Sequence, residues 1–94
     1  MHVLADVAVA EVAQFLEVFG SDGLAKRQQH GCLGTRVLVP ADEPGRVLVL
    51  LEWPSREAFD AFRSDPEAPP IMRRGGAQGP PTFTVLDRVV DFPA

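Results

Sequence analysis

The segment of residues 46–53 carries apolar side chains on both faces of a predicted β-strand. A strand with one face in water alternates apolar with polar residues, so this pattern indicates burial on both sides. A single chain of 94 residues is short for covering both faces of a sheet. We therefore predict that a second copy of the chain covers one of them. The face predicted to be internal holds Val47, Val49, Leu51 and Trp53, and the face predicted to meet the partner holds Leu48 and Leu50.

The rest of the hydrophobic pattern predicts strands that alternate with helices. Apolar residues at i, i+3, i+4 and i+7 favour helices, whereas Val-rich runs bounded by Gly and Pro favour strands. We expect Gly31 to end the second helix and Ser55 to cap the third. The predicted strands are His2–Ala10, Leu33–Val39, Arg46–Trp53 and Thr82–Val90, and the predicted helices are Glu11–Phe19, Leu24–His30, a helix between Ser55 and Pro66, and a short turn within Ala68–Gly75.

This order of elements resembles the ferredoxin-like split β-α-β-β-α-β arrangement. It predicts an α+β fold, one domain over residues 1–94, in which a four-stranded antiparallel sheet carries its helices on one face. Two such sheets facing each other would form a dimeric α/β barrel. The alternative is a monomer with a mildly apolar exposed sheet face, which is a surface that favours association.

Composition excludes several classes of function. The net charge is −4 and the basic residues form pairs rather than a stripe, which argues against a nucleic-acid partner. The single cysteine, Cys32, excludes an internal disulfide and fits a reducing compartment. No run approaches the roughly 20 apolar residues that span a bilayer, so we expect no membrane partner and a cytoplasmic location.

Residues 52–65, EWPSREAFDAFRSD, resemble the strand-end and helix pattern of the antibiotic biosynthesis monooxygenase-like proteins. His30-Gly31, Asp42-Glu43-Pro44 and Gly79-Pro80-Pro81 fall at supporting positions, and the resemblance extends roughly from Phe15 to Leu86. It implies a homodimer of the α/β-barrel type with a ligand pocket between each sheet and its helices.

The resemblance also implies a test of the chemistry. The cofactor-free oxygenases of this group that act on polyketide hydroquinones have an Asn on the third strand, a Trp four residues later and a Tyr on the following helix. Trp53 matches the Trp, but Val49 stands at the Asn position and Phe59 at the Tyr position. Neither side chain can hydrogen-bond a substrate oxygen. The heme-degrading branch needs a His where this chain has Ile71-Met72, so we expect no cofactor.

Trp53 has two interpretations. It is a pocket wall, or it is a core aromatic whose indole N–H is bonded to the backbone; its usual burial favours the second. No catalytic residue is assigned, and Trp53 alone is weakly suggested. The predicted ligand pocket comprises Val47, Val49, Leu51, Trp53, Phe59, Phe62 and Met72.

Other polar residues have mainly structural interpretations. His30 and Cys32 could form a nucleophile–base or metal pair, but no third group is adjacent, so a helix-end His and a small buried Cys are favoured and no metal is expected. Arg63 and Arg73 border the pocket that the resemblance implies and are candidate cations for an acidic or phenolic ligand. The Gly-rich segment 75–79 is predicted to be a flexible flap.

Two hypotheses for function follow. The first is a homodimer whose apolar pocket binds a small aromatic or polyketide-like molecule and acts on it as a cofactor-free monooxygenase. The second is a non-catalytic ligand-binding or stress-associated dimer.

Overall fold

The computed structural model describes all 94 residues. Four strands form one antiparallel sheet in the order β2-β3-β1-β4, which confirms the predicted ferredoxin-like α+β fold. None of the helices is both long enough and apolar enough to span a membrane. The elements are β1 (His2–Ala8), α1 (Val12–Phe19), α2 (Asp22–Gln29), β2 (Gly34–Leu38), β3 (Arg46–Glu52), α3 (Arg56–Arg63), α4 (Ala68–Arg74) and β4 (Thr82–Leu86).

The two central strands, β1 and β3, define a buried and a partly open sheet face. In their register Val3 lies opposite Leu51 and Ala5 opposite Val49, and these side chains are buried beneath the helices. The alternate pairs, among them Leu4 opposite Leu50, lie on the other face and are only half-buried. No helix covers that second face, so its leucines keep part of their surface in solvent.

Local sequence signals set the ends of α2 and α3. Gly31 has φ +82°, and the hydrogen bonds from the N–H of Gly31 to the carbonyl of Gln28 and from the N–H of Cys32 to that of Arg27 form a Schellman motif. The Ser55 hydroxyl accepts a hydrogen bond from the N–H of Ala58 at 3.1 Å. Both predicted termini are confirmed.

Several predicted boundaries are wrong. β1 ends at Ala8 rather than Ala10, because Val9 forms only an isolated bridge with Ala77. β4 ends at Leu86 rather than Val90, because pairing with β1 stops opposite His2. α2 already begins at Asp22.

The Gly-rich segment after α4 is bonded to the end of β1. The N–H of Gln78 donates to the carbonyl of Ala8 at 2.8 Å, and the N–H of Ala10 donates to that of Gly76 at 2.9 Å. These bonds hold the segment across the end of the sheet, which differs from the predicted flexible flap.

Candidate functional site

An aromatic cluster fills the space between the end of β3 and α3. Trp53 is 0% exposed, and its ring centroid lies 5.0 Å from that of Phe62 and 5.9 Å from that of Phe59. Phe59 in turn meets Phe83 of β4 edge-on at 5.4 Å. The cluster arises because residues 59 and 62 are one helical turn apart and both face the sheet.

Beside this cluster, the sheet and the helices form a partly open apolar cavity of about 70 Å³. Its floor is formed by β1 and β3, including Ala5 and Val49, and α1 contributes Phe15 to its walls. α2, α3 and β4 also contribute to the walls, and α4 contributes Ile71 and Met72. α4 has no buried residue, unlike α1, α2 and α3, so it is the least firmly packed helix around the cavity.

The structure divides the seven residues of the predicted pocket into two groups. Four of them line the cavity: Val49, Leu51, Phe62 and Met72. The other three are buried in the hydrophobic core without lining it: Val47, Trp53 and Phe59. Trp53 reaches the cavity only indirectly, through its contact with Phe62.

The indole N–H of Trp53 is not bonded to the backbone, contrary to the expectation from the sequence. Its Nε1 atom is buried and has no hydrogen-bond partner, although the main-chain N–H of Trp53 donates to the carbonyl of Met1 at 2.9 Å. The rings of Phe59 and Phe62 pack around the indole and supply no acceptor. A buried unpaired donor is costly, so the indole N–H of Trp53 is a polar group that the chain itself does not satisfy.

Two cationic side chains of α2 border the cavity, and they have different surroundings. Lys26 donates to Glu67 at 2.8 Å and to Gln29 at 3.0 Å, and it lies 3.1 Å from an oxygen of Asp65. These contacts raise the pKa of Lys26, the hydrogen bond to Glu67 most of all. Lys26 is therefore fully paired.

Arg27 is 4% exposed and has no carboxylate partner. Its Nη2 donates to the carbonyl of Phe19 at 3.0 Å, its Cζ lies 3.5 Å from the centroid of the Phe19 ring, and its Nε is buried without a partner. Burial lowers the pKa of Arg27 to about 10, which still leaves the guanidinium charged at neutral pH.

His30 and Cys32 have different partners in the structure. The Nε2 atom of His30 lies 2.8 Å from Asp65, a carboxylate 35 positions away in sequence, and the ring also packs against Phe62. The Cys32 thiol instead contacts the carbonyls of Gly34 and Glu52. Burial raises the pKa of Cys32, so the thiol is a poor nucleophile.

The predicted cations lie outside the cavity lining. Arg63 lies above the ring of Phe83 at 5.4 Å, and Arg73 is exposed near the end of α4. The sequence does not identify Arg27, because a basic residue near the end of a helix is ordinarily explained at the surface by the negative end of the helix dipole. Lys26, Arg27 and His30 lie on the inward face of α2, but their polar character predicts a face in solvent, so no signal in the sequence identifies them.

Comparison with known protein families shows to which family this chain belongs. The antibiotic biosynthesis monooxygenase family matches residues 2–73, three quarters of the chain. The chain belongs to the antibiotic biosynthesis monooxygenase family. The matched residues include β1, β2, β3, the first three helices and most of α4. Of the elements around the cavity, only β4 lies outside the match. No curated protein matches the chain.

Solved structures share the fold of this family member. A protein from Caulobacter crescentus CB15 assigned to the antibiotic biosynthesis monooxygenases is 28% identical, with a TM-score of 0.71 over 95% of this chain and 89% of the other. SnoaB, a cofactor-independent oxygenase from Streptomyces nogalater, is 15% identical, with a TM-score of 0.71 over 95% and 94% of the two chains.

A third solved structure with this fold contains a ligand. It is a monooxygenase from the gene ActVA-Orf6 of Streptomyces coelicolor in complex with nanaomycin D. It is 18% identical, with a TM-score of 0.68 over 99% of this chain and 91% of the other. At these identities the likeness to SnoaB and to the Streptomyces coelicolor enzyme establishes the fold alone.

Proposed function

We propose that this family member is a homodimeric protein whose cavity binds a small aromatic or polyketide-like molecule. The observation that carries the proposal is the apolar cavity between sheet and helices, with aromatic walls and two buried donors nearby, the Nε1 of Trp53 and the Nε of Arg27, that the chain leaves unpaired. Ligand sites of proteins have this composition, mostly apolar with a few placed polar groups.

The size of the cavity constrains how a ligand enters. About 70 Å³ is well below the roughly 300–1,000 Å³ of typical ligand pockets. A fused-ring ligand therefore requires one wall to move. α4 is the helix that can do so, because it is the one helix around the cavity with no buried residue.

The second sheet face supports the homodimer. Leu4, Leu48 and Leu50 are half-buried there, and Leu38 and Leu86 are 49% and 38% exposed. An ion pair between Asp6 and Arg46 borders this apolar area. An apolar centre with a charged rim is the usual anatomy of a protein interface. The cytoplasmic location predicted from the sequence remains part of the proposal.

A second candidate function is cofactor-independent oxygenation of the bound molecule. The family's cofactor-independent oxygenases and the unpaired indole N–H of Trp53 favour it. Val49 and Phe59, which cannot hydrogen-bond a substrate oxygen, argue against it. Binding without turnover is therefore the function that the side chains support best.

Fluorescence and oxygen uptake separate the two candidates. Trp53 is the only tryptophan and contacts Phe62 of the cavity wall, so binding of a planar aromatic should change its emission. An unchanged emission across a panel of one- to three-ring aromatics would refute the binding proposal.

Incubation with anthrone should show no oxygen uptake above buffer if the protein only binds. Uptake that depends on Trp53, and is lost in Trp53→Phe, would instead establish the oxygenase.

A further inference from the structure

The charge on Arg27 is the least compensated feature around the cavity. A buried guanidinium normally pairs with a carboxylate, because an unpaired buried charge is costly. Arg27 has five N–H groups, of which one is hydrogen-bonded, to the carbonyl of Phe19. The ring of Phe19 offers its negative face to the cation, which compensates the charge only in part.

No other group of the chain supplies the missing anion. The largely buried carboxylate of Asp65 and the exposed carboxylate of Glu67 are both engaged by Lys26, the neighbour of Arg27 in α2. Burial raises the pKa of the Cys32 thiol, so that group is neutral at physiological pH. Lys26 is therefore a cation that the chain itself pairs with carboxylates. Arg27, the next residue, has no such carboxylate partner.

The local structure makes room for the guanidinium at the cavity wall. A Cβ at Gly23 would lie 3.2 Å from Nη1 of Arg27, so a glycine one turn earlier lets this group pack against the helix. Gly23, Arg27 and Phe19 all line the cavity. The side chain that carries the charge and the ring of the cation–π contact therefore both border the apolar space.

We propose that Arg27 is the recognition group for an anionic oxygen, a carboxylate or phenolate, on the aromatic ligand of this cavity. The proposal rests on the proposed binding function and adds to it the charge of the ligand. A guanidinium matches the planar geometry of such an anion, and a hydrogen bond between two charged groups is about twice as strong as a neutral one.

Benzoate and benzamide test this proposal, because they have nearly the same shape and differ in charge. Titration followed by two-dimensional NMR should show that benzoate binds at least about tenfold more tightly than benzamide, a difference of about 1.4 kcal/mol. The Nε–Hε resonance of Arg27 should shift with benzoate and stay in place with benzamide. Arg27→Met should remove the preference, whereas Arg56→Met, at an exposed arginine of α3, should keep it.

Each other outcome overturns the proposal in a distinguishable way. Equal affinity for the two probes, or a preference that survives Arg27→Met, refutes the role of Arg27 and leaves the binding function standing. Failure of both probes, and of 2-naphthoate and 2-naphthamide, to bind refutes both proposals. If Arg27→Met does not fold, the Nε–Hε resonance of the unaltered protein decides, since an unshifted signal at saturating benzoate contradicts the contact.

Discussion

The Nε2 atom of His30, at the end of α2, lies 2.8 Å from Oδ2 of Asp65, in the turn between α3 and α4. Lys26 approaches the same oxygen at 3.1 Å, so Asp65 connects α2 to the start of the α4 segment. The hydrogen bond from His30, together with those from the backbone of Glu67 and from Lys26, holds the pKa of Asp65 far below its ordinary 3.8. Asp65 therefore contributes most to stability while it is ionised.

Replacing Asp65 by Asn should destabilise the protein at neutral pH, because His30 and Lys26 lose their shared anion. A carboxyl whose pKa is lower in the folded state stabilises it above the unfolded pKa, and the contribution disappears as pH falls through the folded pKa. The difference between the two proteins should thus be largest above about pH 4 and shrink below it. Urea unfolding from pH 7 to pH 2 measures this difference.

Asp60→Asn is the control for this prediction. Asp60 lies on the exposed side of α3 and forms only an i,i+4 ion pair with Arg56. Such surface pairs contribute little, about 0.3–0.5 kcal/mol. A loss in Asp65→Asn that is no larger than in Asp60→Asn, or that does not depend on pH, would contradict the role of Asp65.

The proposed dimer predicts that a charge in the centre of the open sheet face prevents association. Leu50 lies opposite Leu4 of β1 and Arg36 of β2, so Leu50→Glu would place a carboxylate in the middle of the interface. Light scattering at micromolar concentration should give a dimer for the unaltered protein and a monomer for Leu50→Glu. Leu16→Glu, at a leucine of α1 that is 45% exposed on the helix side, should remain dimeric. A monomeric unaltered protein would contradict the dimer itself.

The fold was predictable because its signals are local. The apolar runs of β1 and β3, the glycine at position 31 and the serine at position 55 act over a few residues, and each is present in the structure. The strand ends were less predictable, since Val89 and Val90 favour a strand but have no partner to pair with. Pairing is a property of the whole sheet and leaves no mark within the segment itself.

The site was predictable only in its apolar part. Val49 and Phe62 are identified by their alternation and helical spacing, and both line the cavity. The contact between His30 and Asp65 joins residues 35 positions apart, and no local pattern announces it. The burial of Arg27 was equally hidden, because a basic residue near a helix end has an ordinary explanation at the surface.

The left-handed conformation of Gly31 predicts a specific cost for a side chain at this position. Its φ is +82°, and an L-residue in that region costs about 1–2 kcal/mol. Gly31→Ala should lower the free energy of unfolding by that amount, since the Schellman motif at the end of α2 requires this conformation. Gly34→Ala is the control, because its φ is not positive and a Cβ there meets nothing within 4 Å. Equal stability of the two variants in urea would contradict this account.

Filling the cavity with a larger side chain should weaken ligand binding without lowering the stability of the fold. Ala5 lies opposite Val49 on the cavity floor and is 5% exposed, so Ala5→Val adds two methyl groups to a space of about 70 Å³. Valine suits a strand, and filling an apolar void adds contacts, so stability in urea should be kept or slightly raised. Binding of benzamide, followed by NMR, should weaken by about tenfold, equivalent to about 1.4 kcal/mol.

Ala8→Val makes the same chemical change in the same strand, at an exposed residue outside the cavity, and should leave binding unaltered. If Ala5→Val binds benzamide as well as the unaltered protein does, the ligand lies elsewhere. If Ala5→Val loses both binding and stability, the floor of the cavity is already closely packed, because added methylenes then strain the core. Only retained stability with weakened binding fits a cavity that is open to a ligand, since the added methyl groups then compete with the ligand for the same space.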